Sequence, residues 1–340
     1  MVRITACRLA AAFALVLSAW APGAAAGPAA ADTSGGGLSA ELERLRSQDR
    51  RVAGVAFRIR TTNLALCPSH TVAAGWTLHN APQYGPRLRA AAVQHFGLKG
   101  SYPSVLALAP DGPAARAGVR ADDVITAVNG QPLGQAPVAS GPGDFEALSA
   151  DLARIDAALA AGPARLALLR GGAPHEATVE AAAACTHEAQ VNPSATLQAS
   201  ADGKRVFITT ALVDFASDDD ELAFVLGHEY AHNFLGHREE LDRKGFARSV
   251  LGNLATPPWH VLKTEREADR LGVYLAARAG YDTAAAPAFF EKLGRREPST
   301  RFAQWGHPSA GSRLEAMQAI VAEIEAQERA GLALAPRDAP

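Results

Sequence analysis

The chain has 340 residues, 48% of them apolar and 20% charged, with a formal net charge of −2. That is ordinary globular composition, long enough for two modest cores. The near-neutral balance, with no basic block, argues against a nucleic-acid-binding protein.

Arg3 and Arg8 flank the start of an apolar run, Leu9 to Trp20, which is followed by Ala24-Ala25-Ala26. Residues 1–26 therefore read as a secretory signal peptide with a small-residue cleavage site. The run is too short to span a bilayer comfortably, so no integral membrane segment is expected after cleavage; an uncleaved anchor is the alternative. Cys7 lies at the wrong end of the segment for a lipid-modified N-terminus. The expected location is an oxidising export compartment, a bacterial periplasm. There the two cysteines of the mature chain, Cys67 and Cys185, favour one disulfide over two separate buried thiols.

Residues 27–50 read as a flexible Ala/Gly/Pro/Ser linker followed by a short amphipathic helix marked by Leu38, Leu42 and Leu45. Residues 51–87 are assigned to the N-terminal part of a core domain. Within them Val52 to Thr62 alternates as a strand, with Val55, Phe57 and Ile59 on one side and Arg58 and Arg60 on the other.

Residues 88–183 form a separate unit. The stretch from Val105 reads VLALAPDGPAARAGVRADDVITAVNG. It predicts a strand (Val105–Leu108), a Pro-Asp-Gly turn, a short helix over Pro113–Ala117 closed by Gly118, a strand (Val124–Val128) and an Asn129-Gly130 turn. A helix over Asp144–Ala161 and strands at Ala164–Arg170 and Glu176–Ala181 follow. This pattern resembles a PDZ domain of the bacterial protease type, with Asp122 where that family usually has Gly. The resemblance implies a groove that takes an extended peptide as an added strand and receives its carboxylate on backbone N–H groups, near Phe96-Gly97-Leu98. A structural insert with a blocked groove is the alternative.

Residues 184–330 change in character. Lys204 to Thr210 is rich in β-formers, and Ser217-Asp218-Asp219-Asp220-Glu221 then reads as a helix start, with Ser217 or Asp218 as N-cap, rather than as a calcium site. The helix carries His228-Glu229-Tyr230-Ala231-His232. Two imidazoles four residues apart share a helix face and can hold zinc, and the Glu between them can activate a water. A catalytic zinc takes a third protein ligand. Glu265 fits, because EREADRLGVYLAARAG reads as a second helix, ending in Arg278 and Gly280. Asp269 shares a face with Glu265; it either fixes a ligand imidazole through its second nitrogen or pairs on the surface with Arg266 or Arg270. His237 lacks the spacing of a third histidine ligand and reads as a structural or supporting histidine. Residues 331–340 read as a flexible tail.

HEYAH, the run Glu265-Arg266-Glu267-Ala268-Asp269 in the pattern E-x-x-A-D, and His307-Pro308 followed by Arg313 together resemble the HtpX and CAAX prenyl protease family of zinc metallopeptidases, most of all its soluble exported members. The resemblance implies an α+β fold: a mainly helical zincin-like core with a small β-sheet, into which the PDZ-like β-rich domain is inserted. It also implies one zinc ion per chain on His228, His232 and Glu265, with Glu229 as general base. His307 and Arg313 would stand near the developing oxyanion. His307 can equally serve as an inhibitory fourth ligand or as a helix-entry residue. Partners would be protein or peptide substrates bound in extended form, pairing with an edge strand near Val206–Thr209. The function so implied is a zinc endopeptidase acting on unfolded or misassembled cell-envelope proteins, with the PDZ-like domain capturing substrate. The alternative is a PDZ-centred peptide-binding or chaperone protein with a silent metal site; the intact Glu229 speaks against it.

Overall fold

The computed structural model describes residues 35–135, 145–244, 258–296 and 310–336. The signal segment, Cys7 and His307 lie outside the described residues.

Helix α1 runs unbroken over Gly35–Thr62, so the strand expected from Val52 to Thr62 is helical. Val55, Phe57 and Ile59 alternate with a period of two, but Val52, Val55, Ala56 and Ile59 follow the helical period of 3.6, and these four are buried on one helix face. Neighbours decided between the two periods. The face packs in the same apolar cluster as Val206, Leu222 and Leu226, and Arg60, read as solvent-facing, is buried and donates from Nε to the Cys185 carbonyl at 2.9 Å.

Strands β1 (His70–Ala73) and β2 (Trp76–His79) follow. Then come α2 (Pro86–Phe96), β3 (Ser104–Leu108), α3 (Pro113–Arg116), β4 (Val124–Val128) and the short β5 (Gln131–Pro132). Helix α4 (Glu146–Ala161) and strands β6 (Ala164–Arg170), β7 (Ala173–Val179) and β8 (Ala182–Cys185) complete this half. The sheet order is β2-β3-β4-β6-β7, with β5 on β4. Strand β2, expected with the first core segment, thus belongs to this sheet, with Trp76 opposite Leu108. Strand β7 begins earlier than expected, because Gly171 and Gly172, both at positive φ, turn the chain directly out of β6.

The two chain crossings into this unit lie side by side. β1 pairs antiparallel with β8, His70 opposite Cys185, and the Cys67–Cys185 disulfide closes the ladder, with Cα atoms 5.8 Å apart. The unit also rests on α1. Asp122 adopts φ 67°, the left-handed region that explains glycine's preference at this position, and its carboxylate binds the Arg46 guanidinium, Nη2 to Oδ1 at 2.5 Å. Phe96 and Leu98 are buried in a cluster with Leu42 of α1. Gly97 between them is exposed, and a Cβ placed on it would meet nothing within 4 Å.

The second half contains β9 (Glu188–Asn192), β10 (Ala199–Ala201) and β11 (Arg205–Thr209). Helices α5 (Thr210–Phe215), α6 (Asp219–Phe234), α7 (His237–Arg243), α8 (Pro258–Arg278), α9 (Ala285–Arg296) and α10 (Ala310–Arg329) follow. The sheet order is β10-β11-β9. Strand β11, expected as the substrate edge, is central: β10 pairs with one side and β9 with the other. Residues 331–336 of the expected flexible tail dock instead. Ala335 exchanges two hydrogen bonds with the Gln327 side chain, and Arg278 donates to the Leu334 carbonyl at 2.8 Å. The fold is α+β, and no helix among the described residues is long and apolar enough to cross a membrane.

Candidate metal centre

Helix α6 is buried nearly all round, as a helix crossing a core must be. Its start is capped by Asp218, whose Oδ1 accepts from the Glu221 N–H at 2.9 Å, while Glu221 Oε2 accepts from the Ser217 N–H at 2.7 Å. Lys292 of α9 closes the group, binding Glu221 and donating to the Phe215 carbonyl at 2.7 Å. The acidic run thus serves as a helix cap, as its spacing predicts.

Helices α6 and α8 cross at two glycines. A Cβ placed on Gly227 would lie 2.6 Å from the Gly272 carbonyl oxygen, and one on Gly272 would lie 2.7 Å from the His228 nitrogen. Backbone meets backbone immediately beside His228, which brings α8 near enough for its short carboxylates to reach the α6 imidazoles.

Three donors then converge. His228 Nε2 and His232 Nε2 face each other at 3.1 Å, and the Glu265 carboxylate lies 3.5 Å from the first and 3.4 Å from the second. Among the described residues these three form the group able to hold a metal, their ligand atoms all within 4.8 Å of one another. Two imidazole nitrogens and one carboxylate oxygen from three side chains make the donor set of a catalytic zinc with a position left open. The residues therefore fit the ion. Glu229 lies between the two histidines in the chain and is buried.

The side chains behind the donors were partly foreseen. Asp269 turns inward rather than to the surface: its Oδ1 is 2.9 Å from His228 Nδ1, while Arg270, one candidate surface partner, binds Glu323 at 2.9 Å. Arg313 departs from expectation. Its guanidinium grips both oxygens of Asp269, Nε to Oδ2 at 2.8 Å, and Nη1 stands 3.5 Å from Glu265. It is buried with its planar end over the Phe290 ring, 4.3 Å from the centroid. A cation expected to face the substrate oxygen is thus bound to Asp269, behind the three candidate donors. Burial pushes the Asp269 carboxyl up, but Arg313 and then His228 outweigh it and hold the group below the usual carboxylate range. Burial likewise pulls His228 down, and the Asp269 and Glu265 carboxylates reverse this, pushing its pKa up to about 10.

His237 falls into the centre as well. Gly236, at φ 65°, reverses the chain after α6, and His237 Nδ1 comes to 2.9 Å from His232 Nδ1. Burial and the neighbouring His232 hold its pKa down to about 3. Three residues escaped the sequence reading: Gly227, Gly272 and Asn233. Asn233 Oδ1 accepts from the Gly203 N–H at 2.9 Å and its Nδ2 donates to the Arg205 carbonyl at 3.1 Å, clamping the β10–β11 turn onto α6. A small residue directly before HEYAH was the sole signal for the glycine crossing.

Residues 174–254 match the model of "Peptidase family M48", and residues 104–140 that of "PDZ domain". The M48 match ends before Glu265, so the place of this carboxylate among the three donors rests on the geometry above. The mitochondrial metalloendopeptidase OMA1 of Homo sapiens is 26% identical over 150 residues, 34% of this chain and 29% of its own length. The Arabidopsis thaliana mitochondrial metalloendopeptidase OMA1 is 33% identical over 107 residues, covering 27% of this chain and 22% of its own. The chain thus spans less than a third of these curated relatives. A crystal structure of the HtrA3 PDZ domain bound to a phage-derived ligand aligns over 34% of this chain and 89% of that one, at 20% identity and a TM-score of 0.25. Taken with HEYAH and the E-x-x-A-D run, the two family matches bear out the resemblance: the chain carries a segment similar to peptidase family M48 and another similar to a PDZ domain.

Proposed function

We propose that this protein is a zinc-dependent endopeptidase that cleaves protein chains held in extended form. The observation that carries the reading is the closed group of His228, His232 and Glu265, with Glu229 on the same buried helix as both imidazoles. Zinc, when bound, polarises the scissile carbonyl and lowers the pKa of water at the site to about 7. Glu229 takes the proton of the attacking water and passes it to the departing amine, as a carboxylate within hydrogen-bond reach of both can do. Asp269 keeps the His228 ring in the tautomer that offers Nε2 to the ion, and Arg313 keeps Asp269 charged and in place.

The substrate strand is assigned to the edge of β10 that is unpaired among the described residues, since β11 is paired on both sides. Asn233 ties that hairpin to the helix of the imidazoles. In the PDZ domain the corresponding strand is β2, an edge strand among the described residues, preceded by Ala73-Ala74-Gly75, with Ala74 and Leu78 in one apolar cluster with Ile155 and Leu159 of α4. A peptide added there would lie between β2 and α4 and present its carboxylate to that turn. The Cys67–Cys185 disulfide and the N-terminal sequence support an exported protein in a bacterial periplasm. Unfolded or misassembled envelope proteins are the substrate class such a place offers, by analogy of fold and compartment.

The test compares wild type and Glu229→Gln on a reduced, unfolded protein, with and without a chelator. Wild type should cleave only in the absence of chelator, and Glu229→Gln should retain zinc while losing turnover by several orders of magnitude. Equal cleavage by both proteins would remove Glu229 from the mechanism. Absence of cleavage by zinc-loaded wild type would favour the binding-protein alternative.

A further inference from the structure

His228 and His232 present Nε2 to the same point, but they are held from behind by different means. Behind His228 stands a carboxylate, Asp269. Behind His232 stands another histidine, His237, with its Nδ1 2.9 Å from His232 Nδ1 and the two rings edge to face at 4.9 Å. On its far side, His237 Nε2 lies 3.3 Å from Glu267 Oε2. His237 is 4% exposed, and Glu267 reaches it from the surface of α8, where Lys263 Nζ also stands 3.5 Å away.

The protons along this row have one arrangement. If His232 Nε2 faces a metal ion, the His232 ring carries its proton on Nδ1, because a coordinating nitrogen must offer its lone pair. That N–H points at His237 Nδ1, which must then accept and hold no proton. His237 therefore carries its own proton on Nε2, toward Glu267, and a carboxylate accepts it. Reversing any link puts two N–H groups face to face or leaves a carboxylate opposite a bare nitrogen. The three carboxylates that face or back the imidazoles then come from five consecutive residues of one helix: Glu265 as donor, Asp269 behind one imidazole, and Glu267 at the end of the row behind the other.

We infer that His237 and Glu267 are positioning residues: they form a two-step relay that fixes the tautomer and ring orientation of His232 and so sets how tightly the site holds its metal. This rests on the metal reading above and extends it to residues that touch neither ion nor substrate. His237 does this by accepting at Nδ1, so a residue with an acceptor at the same place should replace it and an apolar one of similar bulk should not.

The experiment measures zinc affinity by chelator competition, together with the thermal melt of the metal-free proteins, for wild type, His237→Asn, His237→Leu and Glu267→Ala. Asn keeps an acceptor near the Nδ1 position; Leu fills the space without one. The expected result is binding about 10–100-fold weaker for His237→Leu, binding within a few-fold of wild type for His237→Asn, and an intermediate loss for Glu267→Ala, with unshifted metal-free melts. Equal affinity of wild type and His237→Leu would overturn the relay, as would an Asn variant as weak as the Leu variant. Should His237→Leu fail to fold, Glu267→Ala decides: wild-type affinity there refutes the relay, and a loss with an unshifted melt supports it. Wild-type protein that binds no zinc at all would instead refute the metal reading, a distinct result.

Discussion

Gly227 and Gly272 touch backbone to backbone, with no room for a methyl group on either. A Cβ on Gly227 would sit 2.6 Å from the Gly272 carbonyl oxygen, and one on Gly272 would sit 2.8 Å from the His228 Cα. Because the crossing lies one residue from His228, any separation of the two helices carries Glu265 away from both imidazoles. Gly227→Ala is expected to destabilise the fold by about 1–3 kcal/mol through overpacking and to weaken zinc binding at least tenfold. Gly85→Ala, where a Cβ meets nothing within 4 Å, is the control: as the N-cap of α2 it costs some stability but should leave zinc binding unchanged. Thermal melts and chelator competition on both variants check this.

Arg313 and Asp269 form a buried pair in which each charge depends on the other. Arg313→Ala leaves a carboxylate in the core facing only His228, and the expected loss is about 3–5 kcal/mol in denaturant unfolding. Asp269→Asn retains the shape and removes the charge. It should weaken zinc binding about 10–100-fold, by freeing the His228 ring. If Arg313→Ala unfolds at the wild-type midpoint, the guanidinium is not the counter-charge that the geometry makes it.

His79 predicts a pH dependence remote from the metal. It is buried at the end of β2, its Nδ1 2.7 Å from the Tyr84 hydroxyl, and burial followed by the Arg46 charge holds its pKa down to about 3. The unfolded chain takes up this proton below about pH 6.5, whereas the folded chain does not until about pH 3. Stability from this group is thus complete above about pH 6.5 and falls as the pH drops toward 3, by about 2 kcal/mol at pH 5. His79→Gln should remove that slope. Urea unfolding of both proteins at about pH 7 and pH 5 measures it, and identical slopes would reject it.

Cys67 and Cys185 close a loop of sequence separation 118. Cys67→Ser with Cys185→Ser is expected to cost about 2–5 kcal/mol and to loosen the β1–β8 neck between the two halves. Mass spectrometry without reductant should show a peptide linked through Cys67 and Cys185; free thiols at both would refute the pairing.

Much of the site was legible because its chemistry demands residue types at short spacing. Two histidines one helical turn apart, a Glu between them, and a second helix carrying Glu265 and Asp269 needed no coordinates to find. The strand from Val124 to Val128 and that from Ala164 to Arg170 were equally plain, bounded by Asn129-Gly130 and Gly171-Gly172. Val52 to Ile59 was not, since its apolar positions include a set at each period and only the surface it meets selects one. Nor was the place of β11, for an edge strand and a central one of the same length carry the same residues until their partners are known.

Local chemistry in the chain determined which side chains could act: donor atoms, a base, a capped helix to carry them, and cysteines to bridge. Tertiary structure decided where the supporting charges went. Arg313 stands 44 positions from Asp269 in sequence, and its cation settles on whichever buried carboxylate the packing of α8 and α10 brings nearest. Gly227 has no evident role until Gly272 stands against it. Ligand identity follows from the bonding of single residues; ligand convergence follows from the approach distance of two helices, a property no residue has by itself.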